Sequence, residues 1–246
     1  MITQDALLGL DRKALDQSVS KHVEKVLEED RGLRFRPAFR DLEAKRLQRQ
    51  VVRFLELEKQ RGAFEVIDFE KEIVTEIEGQ SIRLVIDRVD RLPSGEKVIV
   101  DYKTGRVDPK KWFGDRPEDP QLPLYAISAE SAPAGVIFSV IRDDECLYKG
   151  VVREAGIFPE LPPKTTKRTR ELAEAGEDLP GTVQGWRSVL HRLMSEFLAG
   201  AADIDPREGS GTCVKSYCEF QSLCRIGELE RLRISAGLMD EPESTL

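Results

Sequence analysis

The 246-residue sequence lacks any long hydrophobic run. No stretch of about 18 or more apolar residues occurs, so a transmembrane helix is not expected. The opening residues MITQDALLGLDRKALDQ lack a basic segment followed by an apolar block, so a secretory signal is not expected either. Hydrophobic residues at 40% and charged residues at 34% instead predict a soluble, globular, cytoplasmic protein with enough apolar material for a core.

Positive charge is outnumbered, since 38 lysine and arginine residues stand against 45 aspartate and glutamate residues. The formal net charge is −7, which argues weakly against nucleic acid as a partner because phosphate binding usually needs a basic surface. The charge is uneven, however. Lysine and arginine crowd the region 31–61 and the segment KTTKRTR at 164–170. These residues could form a solvated helix face or contact a phosphate backbone, and the sequence leaves both interpretations open.

Cysteine is rare but grouped. Of four cysteines, Cys213, Cys218 and Cys224 lie within one short segment, whereas Cys146 stands apart in a predicted strand, where buried thiols are common. In a chain without an export signal, such a group indicates a metal or cluster site more than disulfide bonds.

Hydrophobic periodicity predicts an α/β fold with a mixed central sheet of about five strands flanked by helices. The predicted helices are 14–29, 38–61, 119–129 and 182–200, and the predicted strands are 64–79, 81–92, 96–104, 135–142 and 146–153. We expect one structural domain that is a fragment of a larger protein. Its parts would be a helical segment 1–62, a core 63–153, an excursion and cysteine segment 154–232 packing on the core, and a polar tail 233–246.

Two acidic residues are expected to meet across neighbouring strands. A three-residue loop, 93–95, whose last residue is glycine, pairs the second and third strands in a single register. That register sets Asp87 directly opposite Asp101 and Val85 opposite Lys103. A slip by one residue would turn half of the apolar side chains outward, so the hydrophobic pattern itself selects this register.

The two faces of this hairpin differ in character. One is an apolar core face with Ile82, Leu84, Ile86, Val98, Val100 and Tyr102. The other carries Asp87, Asp101 and Lys103. Directly opposed carboxylates repel each other unless a divalent cation lies between them, and oxygen ligands favour Mg²⁺ or Mn²⁺. Lys103 could then orient a water or stabilise charge on a phosphate. A surface salt bridge between Asp101 and Lys103 is the alternative.

The helix after these strands adds two polar residues. Asp119 is a candidate N-cap and Pro120 a candidate first-turn residue. Gln121 and Tyr125 are four residues apart and therefore share one face of the helix. Both could reach a DNA phosphate or a metal-bound water, although a core contact would also explain Tyr125.

These residues carry a resemblance. The stretch IDRVDRLPSGEKVIVDYKTG, followed by DPQLPLYA, resembles the PD-(D/E)XK nuclease superfamily and, within it, the RecB/AddB-type nuclease domain of bacterial repair and recombination proteins. The similarity runs from about His22 to Cys224. It implies a restriction-endonuclease-like core and a Mg- or Mn-dependent deoxyribonuclease, with exonuclease action favoured and a helicase-type subunit or domain as partner.

The resemblance also implies roles for single residues. Asp87, Asp101 and the backbone carbonyl of Tyr102 would hold the metal, and Lys103 would be the catalytic lysine. Gln121 and Tyr125 would form the family's QxxxY motif.

Two further residues are implied by the resemblance. The family places a metal-binding histidine in an early helix, which His22 matches, although Ser18 replaces the usual glycine four residues earlier. His22 falls on the predicted apolar stripe of its helix, so a structural histidine is the alternative. Glu72 matches an accessory acidic position, and an exposed strand glutamate is its alternative.

The basic residues would hold the DNA backbone in this interpretation. The candidates are Arg46, Arg49, Arg53, Lys164, Lys167 and Arg168.

The cysteine segment CVKSYCEFQSLCRI resembles the C-terminal half of an AddB-type iron–sulfur staple, which would hold a [4Fe–4S] cluster with four thiolates. Four residues separate Cys213 from Cys218 where two are usual, and no cysteine precedes His22. We therefore expect this chain to lack the cluster. A zinc ion held by the three cysteines and one other ligand is a minor alternative.

A catalytically inactive nuclease fold that serves as a DNA-binding or scaffold module is the rival interpretation of the whole chain. The intact Asp87, Asp101, Lys103, Gln121 and Tyr125 argue against it. The altered position before His22 and the incomplete cysteine set argue for it.

Overall fold

The computed structural model describes residues 2–29, 37–154, 156–158, 161 and 178–237. The chain divides into two compact units, Met1–Ser195 and Glu196–Leu246. The sequence-predicted boundaries at 62, 153 and 232 stay a prediction. In the part of the chain that the structure describes, no helix combines the length and the apolar character needed to cross a membrane.

The first unit is built around one sheet. Its strands are β1 (Ile2–Thr3), β2 (Glu65–Ile77), β3 (Gln80–Arg91), β4 (Lys97–Lys103), β5 (Gly135–Ile141) and β6 (Cys146–Val152). Its helices are α1 (Gln4–Leu8), α2 (Arg12–Glu29), α3 (Pro37–Glu58), α4 (Gln121–Ser128) and α5 (Leu179–Leu198), which ends in the second unit, with a 3₁₀ turn at Pro109–Trp112.

The strands are arranged in chain order, from β1 to β6. All neighbours are antiparallel except β4 and β5, which are parallel and are joined through α4. The predicted α/β class and mixed sheet are confirmed, and β1 adds two residues at one edge.

The β3–β4 hairpin has the predicted loop. The amide of Leu92 donates to the carbonyl of Glu96 at 2.8 Å, and Gly95 has a φ of 86°, which glycine adopts without steric cost. Val89 pairs with Ile99, as the predicted register requires. Loop chemistry and hydrophobic pattern therefore fix the register together.

Both faces of the sheet are covered, which corrects the prediction of a single core face. On the α3 face, Val98 and Val100 pack against Phe54 and Leu57 of α3. The α4 face carries the larger cluster, which includes Ile99, Val136, Phe138, Trp112, Leu122 and Trp186. Strands buried on both faces read as continuous apolar runs, and VIV at 98–100 is such a run.

The predicted core face is also divided between the two layers. Ile82, Leu84 and Ile86 pack with the α4-face cluster, not with Val98 and Val100. Ile86 and Val89 are three residues apart, yet both belong to this cluster, so the alternation of β3 is interrupted between them. The interruption lies beside Glu70 of β2, whose φ is 47°.

Helices α2 and α3 pack on each other through Leu15, Val19, Val23 and Leu27 of α2 and Val52 of α3. Three apolar residues of these helices are nevertheless exposed, namely Val26 of α2 and Phe39 and Leu42 of α3. Among the described residues, the buried ones of α3 begin at Val52, whereas Ala44 and Leu47 are only partly buried against the same cluster.

The second unit holds the cysteine segment. Its elements are β7 (Arg207–Gly209), α6 (Ser210–Lys215), α7 (Gln221–Cys224) and α8 (Ile226–Ser235). The sequence predicted none of these short elements.

Candidate active site

The end of β4 places an acid and a lysine on the α4 face. Asp101 is only 1% exposed, and its Oδ2 lies 2.8 Å from Nζ of Lys103. The Lys103 ammonium also donates to Oε1 of Gln121 at 2.7 Å and lies 5.6 Å from the centre of the Phe138 ring. Three contacts thus fix the position of this ammonium.

Helix α4 completes the network. Nε2 of Gln121 donates to Oδ1 of Asp101 at 2.9 Å and to the hydroxyl of Tyr125 at 2.8 Å. The Tyr125 hydroxyl in turn donates to the backbone carbonyl of Val85 on β3. The spacing of four residues does bring Gln121 and Tyr125 to one side of α4, where they connect β3 to the end of β4.

The start of α4 differs from the prediction. The helix begins at Gln121, and Pro120 occupies the cap position without a side-chain hydrogen bond. Asp119 therefore is not the N-cap, because its position lies one residue too early. Its negative charge acts instead on Asp101.

Strands β3 and β4 separate at the site and form a fork. Their pairing ends at Arg88 and Val100, one pair before Asp87 and Asp101 would meet. The backbone amide of Tyr102 donates to Oδ2 of Asp87 at 2.8 Å. The side chains of Asp87 and Tyr125 thus bind the amide of Tyr102 and the carbonyl of Val85, which further pairing of the two strands would otherwise have used. The predicted ladder pairs Asp87–Asp101 and Val85–Lys103 do not form for this reason.

The electrostatics of the fork leave excess negative charge. Burial raises the pKa of Asp101, and the charges of Asp87 and Asp119 raise it further, whereas Lys103 lowers it by hydrogen bonding and attraction. Oδ2 of the buried Asp101 contacts Nζ of Lys103 at 2.8 Å. A buried carboxylate beside two further acids is a group that a divalent cation would stabilise.

The ligands available for such a cation are oxygens. Asp87 and Asp101 could supply carboxylates, and the carbonyl of Tyr102 lies between Asp101 and Lys103 in the chain. Among the described residues, no group of three or more His, Cys, Asp or Glu side chains is arranged to hold a metal. Water or phosphate oxygens would have to complete the shell, which is the mode of binding that Mg²⁺ prefers.

The model of one protein family matches residues 3–225, which is most of the chain, and that family is the PD-(D/E)XK nuclease superfamily. The chain belongs to this superfamily. Its members generally hydrolyse nucleic acids, and the mixed sheet flanked by helices agrees with their restriction-endonuclease-like fold. A comparison with curated proteins found no match.

Two of the residues implied by the nuclease resemblance lie apart from the Asp101 network. His22 is exposed on α2, and its Nδ1 lies 2.7 Å from the carbonyl oxygen of Ser18. Its predicted place on the apolar stripe is therefore wrong, because the buried stripe passes through the neighbouring Val23. Glu72 is an exposed residue of β2 that forms an ion pair with Arg83. Metal and accessory roles for these two residues stay predictions.

The basic residues of α3 belong to the helix layer opposite the Asp101 network, although Arg46 and Arg53 reach Asp143 in the β5–β6 turn. Arg46 forms an ion pair with Glu43, and Arg53 donates to the carbonyl of Asp143 in the β5–β6 turn at 3.2 Å. Arg49 is exposed. Helix α3 covers the α3 face, whereas Asp101 and Lys103 face α4. Lys164, Lys167 and Arg168 lie outside the described residues.

A buried cluster of four charges supports the fork from the α3 face, and the sequence analysis missed it. It consists of Glu58, Arg61, Arg88 and Asp90. Arg88 contacts Asp90 at 2.6 Å and Glu58 at 2.7 Å, and Arg61 contacts Asp90 at 2.8 Å and Glu58 at 2.9 Å. Burial raises the pKa of Glu58, but the two arginines outweigh it, so the net pKa is lowered.

This charge cluster is connected to the Asp101 network through a hydrogen bond from Arg88 to Tyr102. Nη1 of Arg88 donates to the hydroxyl of Tyr102 at 3.0 Å, and Tyr102 lies between Asp101 and Lys103. A signal was present in the sequence, since Arg88 and Asp90 are opposite charges two residues apart on a strand face that is otherwise apolar.

The cysteines of the second unit are free thiols that influence one another. Cys213 is buried, and its pKa is raised first by burial and then by the neighbouring Cys218 and Cys224. The side-chain amide of Gln221 donates to the carbonyls of Cys213 at 3.3 Å and Cys218 at 3.2 Å. The grouping is the one expected from the sequence. No metal-binding arrangement forms among the described side chains, and nothing supports the [4Fe–4S] cluster.

Proposed function

We propose that this chain is a Mg²⁺- or Mn²⁺-dependent deoxyribonuclease of the RecB/AddB type. Its action would be of the exonuclease kind, in DNA repair or recombination, with a helicase-type subunit or domain as partner. The observation that carries the catalytic part of this proposal is the hydrogen-bonded network of Asp101, Lys103, Gln121 and Tyr125 beside Asp87. The narrower assignment to RecB/AddB rests on the sequence resemblance alone.

The metal would be held by the carboxylates of Asp87 and Asp101 and the carbonyl of Tyr102. When bound, it would polarise the scissile phosphate and lower the pKa of the attacking water. Lys103 would orient that water and stabilise the negative charge that develops on the phosphate. Gln121 accepts one hydrogen bond from Lys103 and donates another to Asp101, so it holds the two groups at a fixed separation.

A cleavage assay tests this proposal. End-labelled linear single- and double-stranded DNA, with RNA for comparison, would be incubated with the protein in Mg²⁺, in Mn²⁺ or in chelator. We expect cleavage of DNA with either metal and none with chelator. Lys103→Ala should reduce the rate at least about a hundredfold, because general acid–base and electrostatic groups contribute on that scale.

Lys97→Ala is the matched control. Lys97 is the first residue of the same strand, half-exposed and paired with Glu130 at 3.6 Å. It should behave as the unmodified protein does. Cleavage that survives in Lys103→Ala at the original rate would refute the assigned site.

An inactive nucleic-acid-binding module is the second candidate. The exposed position of His22 and the lack of a three-ligand group among the described side chains favour it. DNA binding without cleavage, with either metal and on every substrate, would select this candidate over the nuclease.

A further inference from the structure

A second basic site lies on the same face of the sheet as the catalytic network. Asp101 of β4 pairs with Phe138 of β5, and Phe138 pairs with Lys149 of β6. Paired residues of neighbouring strands point to the same face, so Asp101 and Lys149 share the α4 face. Leu147 and Val151, which flank Lys149 at a spacing of two, pack in the α4-face cluster and confirm this direction. Two strand spacings of about 4.8 Å separate Asp101 from Lys149, which gives about 10 Å.

A cleft opens at this position. It has a volume of about 430 Å³ and is lined by Arg106, Val107, Arg142, Asp144, Glu145 and Lys149. We call it the Arg106 cleft. Arg106 follows Lys103 by three residues. Arg142 lies two residues beyond Val140, the β5 partner of Lys103. The cleft therefore borders the strand ends at which the catalytic lysine lies.

The charges of the Arg106 cleft favour an anion. It holds three cations and two acids in a protein whose net charge is −7. Lys149 and Arg142 approach Glu145 only at 3.4 Å and 3.6 Å, although Arg142 also contacts Asp144 closely. Arg106 is exposed and has no ion-pair partner in the described part of the chain. An incoming phosphate would therefore meet Arg106, which has no ion-pair partner among the described residues, and Lys149, which shares Glu145 with Arg142.

We infer that the Arg106 cleft binds a backbone phosphate of the nucleic acid strand whose cleavage occurs at Asp101 and Lys103. This inference deepens the proposed nuclease function and rests on it. The distance of about 10 Å corresponds to about two or three nucleotides of a strand that rises about 3.4 Å per nucleotide. Contacts of this kind position the strand and carry no base preference. The cleft thus sets which linkage reaches the catalytic network.

Binding measurements isolate this contact from the chemistry. In a Lys103→Ala background, which stops turnover, the affinity for a labelled single-stranded oligonucleotide would be measured with Mg²⁺ over a series of salt concentrations. Arg106→Ala and Lys149→Ala should each weaken binding about threefold to tenfold. Each should also reduce the slope of log K against log salt by about 0.7, the value for one single-strand phosphate contact.

The controls are cations outside the Arg106 cleft. Arg12→Ala removes an exposed arginine of α2 that pairs with Asp16, and Lys97→Ala removes the lysine at the other end of β4. Neither should change the affinity or the slope. With Lys103 intact, Arg106→Ala should raise KM for DNA about threefold to tenfold, because the contact with the phosphate contributes to binding.

Uncharged methylphosphonate linkages can identify the phosphate that the Arg106 cleft binds. One methylphosphonate would be placed in turn at each of the four linkages on either side of the cleavage site. We expect one or two positions, about two or three nucleotides from that site, at which the neutral linkage weakens binding. The weakening should disappear in the double variant Arg106→Ala/Lys149→Ala, since that variant lacks both cations that contact this phosphate.

The two proposals fail in different ways. Unchanged affinity, KM and salt slope in Arg106→Ala and Lys149→Ala would overturn the Arg106 cleft, even if cleavage depends on Lys103. Conversely, a protein that never cleaves, but whose DNA binding weakens in both cleft variants, would refute the nuclease and support the cleft as a phosphate site.

Discussion

At the scale of single residues, Asp101 combines burial with the charges of neighbouring acids. Its pKa is raised by burial first and then by Asp87 and Asp119, and Lys103 offsets only part of this. The folded chain therefore binds the Asp101 proton more tightly than the unfolded chain does. This tighter proton binding contributes to the free energy of unfolding below the unfolded pKa of about 3.9, and the contribution is lost as the pH rises through the raised pKa of the folded state.

Asp101→Asn should consequently stabilise the metal-free protein at pH 7 while it abolishes cleavage. We expect Tm in chelator to rise on the order of 2 °C, which is a typical response of a chain of this size to less than 1 kcal/mol. The difference should shrink as the pH falls and vanish well below the unfolded pKa of about 3.9, where Asp101 is protonated in both states. Asp16→Asn, an exposed acid paired with Arg12, is the control. A lower Tm for Asp101→Asn at pH 7 would contradict the conclusion that burial and the neighbouring acids destabilise the charged carboxylate.

Gln121 is the residue that connects Asp101 to Lys103, so its removal should act on catalysis. Gln121→Ala leaves the Lys103 ammonium without its 2.7 Å acceptor on α4. We expect kcat to fall about tenfold to a hundredfold, because small misplacements of catalytic groups have effects of this size. Steady-state kinetics on a labelled oligonucleotide would measure it.

Ser128→Ala is the control on the same helix, since its hydroxyl donates only to the carbonyl of Leu124 one turn earlier. An equal loss in both variants would mean that α4 itself had been disturbed. The positioning role of Gln121 would then be unsupported.

At the scale of elements, the buried charge cluster joins α3 to β3 beneath the fork. Glu58 ends α3, Arg88 and Asp90 belong to β3, and Arg61 follows α3. Tyr148 of β6 also donates to Glu58. A buried ion pair contributes little net stability over an apolar replacement, but the loss of one partner leaves an uncompensated charge.

Glu58→Gln should therefore destabilise the fold strongly, since Arg61 and Arg88 would keep only Asp90. The expected loss in the free energy of unfolding is about 3 kcal/mol. Urea denaturation followed by circular dichroism would measure it. Glu72→Gln breaks the exposed pair with Arg83 and should change the free energy little. Similar values for the two variants would show that the Glu58 cluster does not hold α3 on the sheet.

At the scale of the whole molecule, an acidic protein is proposed to bind an acidic polymer. The net charge of −7 opposes association at long range, so the local cations must provide the attraction. The described cations beside the proposed catalytic network are few. The sequence-predicted α3 arginines lie on the other layer, and the basic segment 164–170 lies outside the described residues.

The salt dependence of DNA binding should reflect this small number. For single-stranded DNA we expect a slope of log K against log salt of about −2, because each of the three cations of the Arg106 cleft contributes about 0.7. Fluorescence anisotropy over a range of salt concentrations would measure it. A slope near −4 would mean that Lys164, Lys167 and Arg168 also take part. Binding insensitive to salt would contradict recognition of the backbone.

The sequence by itself determined the features that depend on near neighbours in the chain. The loop 93–95 ends in a glycine with positive φ, and the pairs next to it, from Arg91–Lys97 to Val89–Ile99, follow the register that this loop sets. The spacing of Gln121 and Tyr125 puts both on one side of α4. Local backbone geometry decides these features, so they can be read without knowing what packs against them.

Only the tertiary structure decided the features that depend on distant partners. Strands β3 and β4 separate at Asp87 because two side chains bind backbone groups at the fork. Tyr125 of α4 binds the carbonyl of Val85, and Asp87 of β3 binds the amide of Tyr102. His22, Phe39 and Leu42 lie on amphipathic helices but remain exposed, since burial requires a neighbouring layer. The charges of Arg88 and Asp90 are buried because Glu58 and Arg61 arrive from α3 and the turn after it. Sequence periodicity identifies a face, but only packing decides what that face meets.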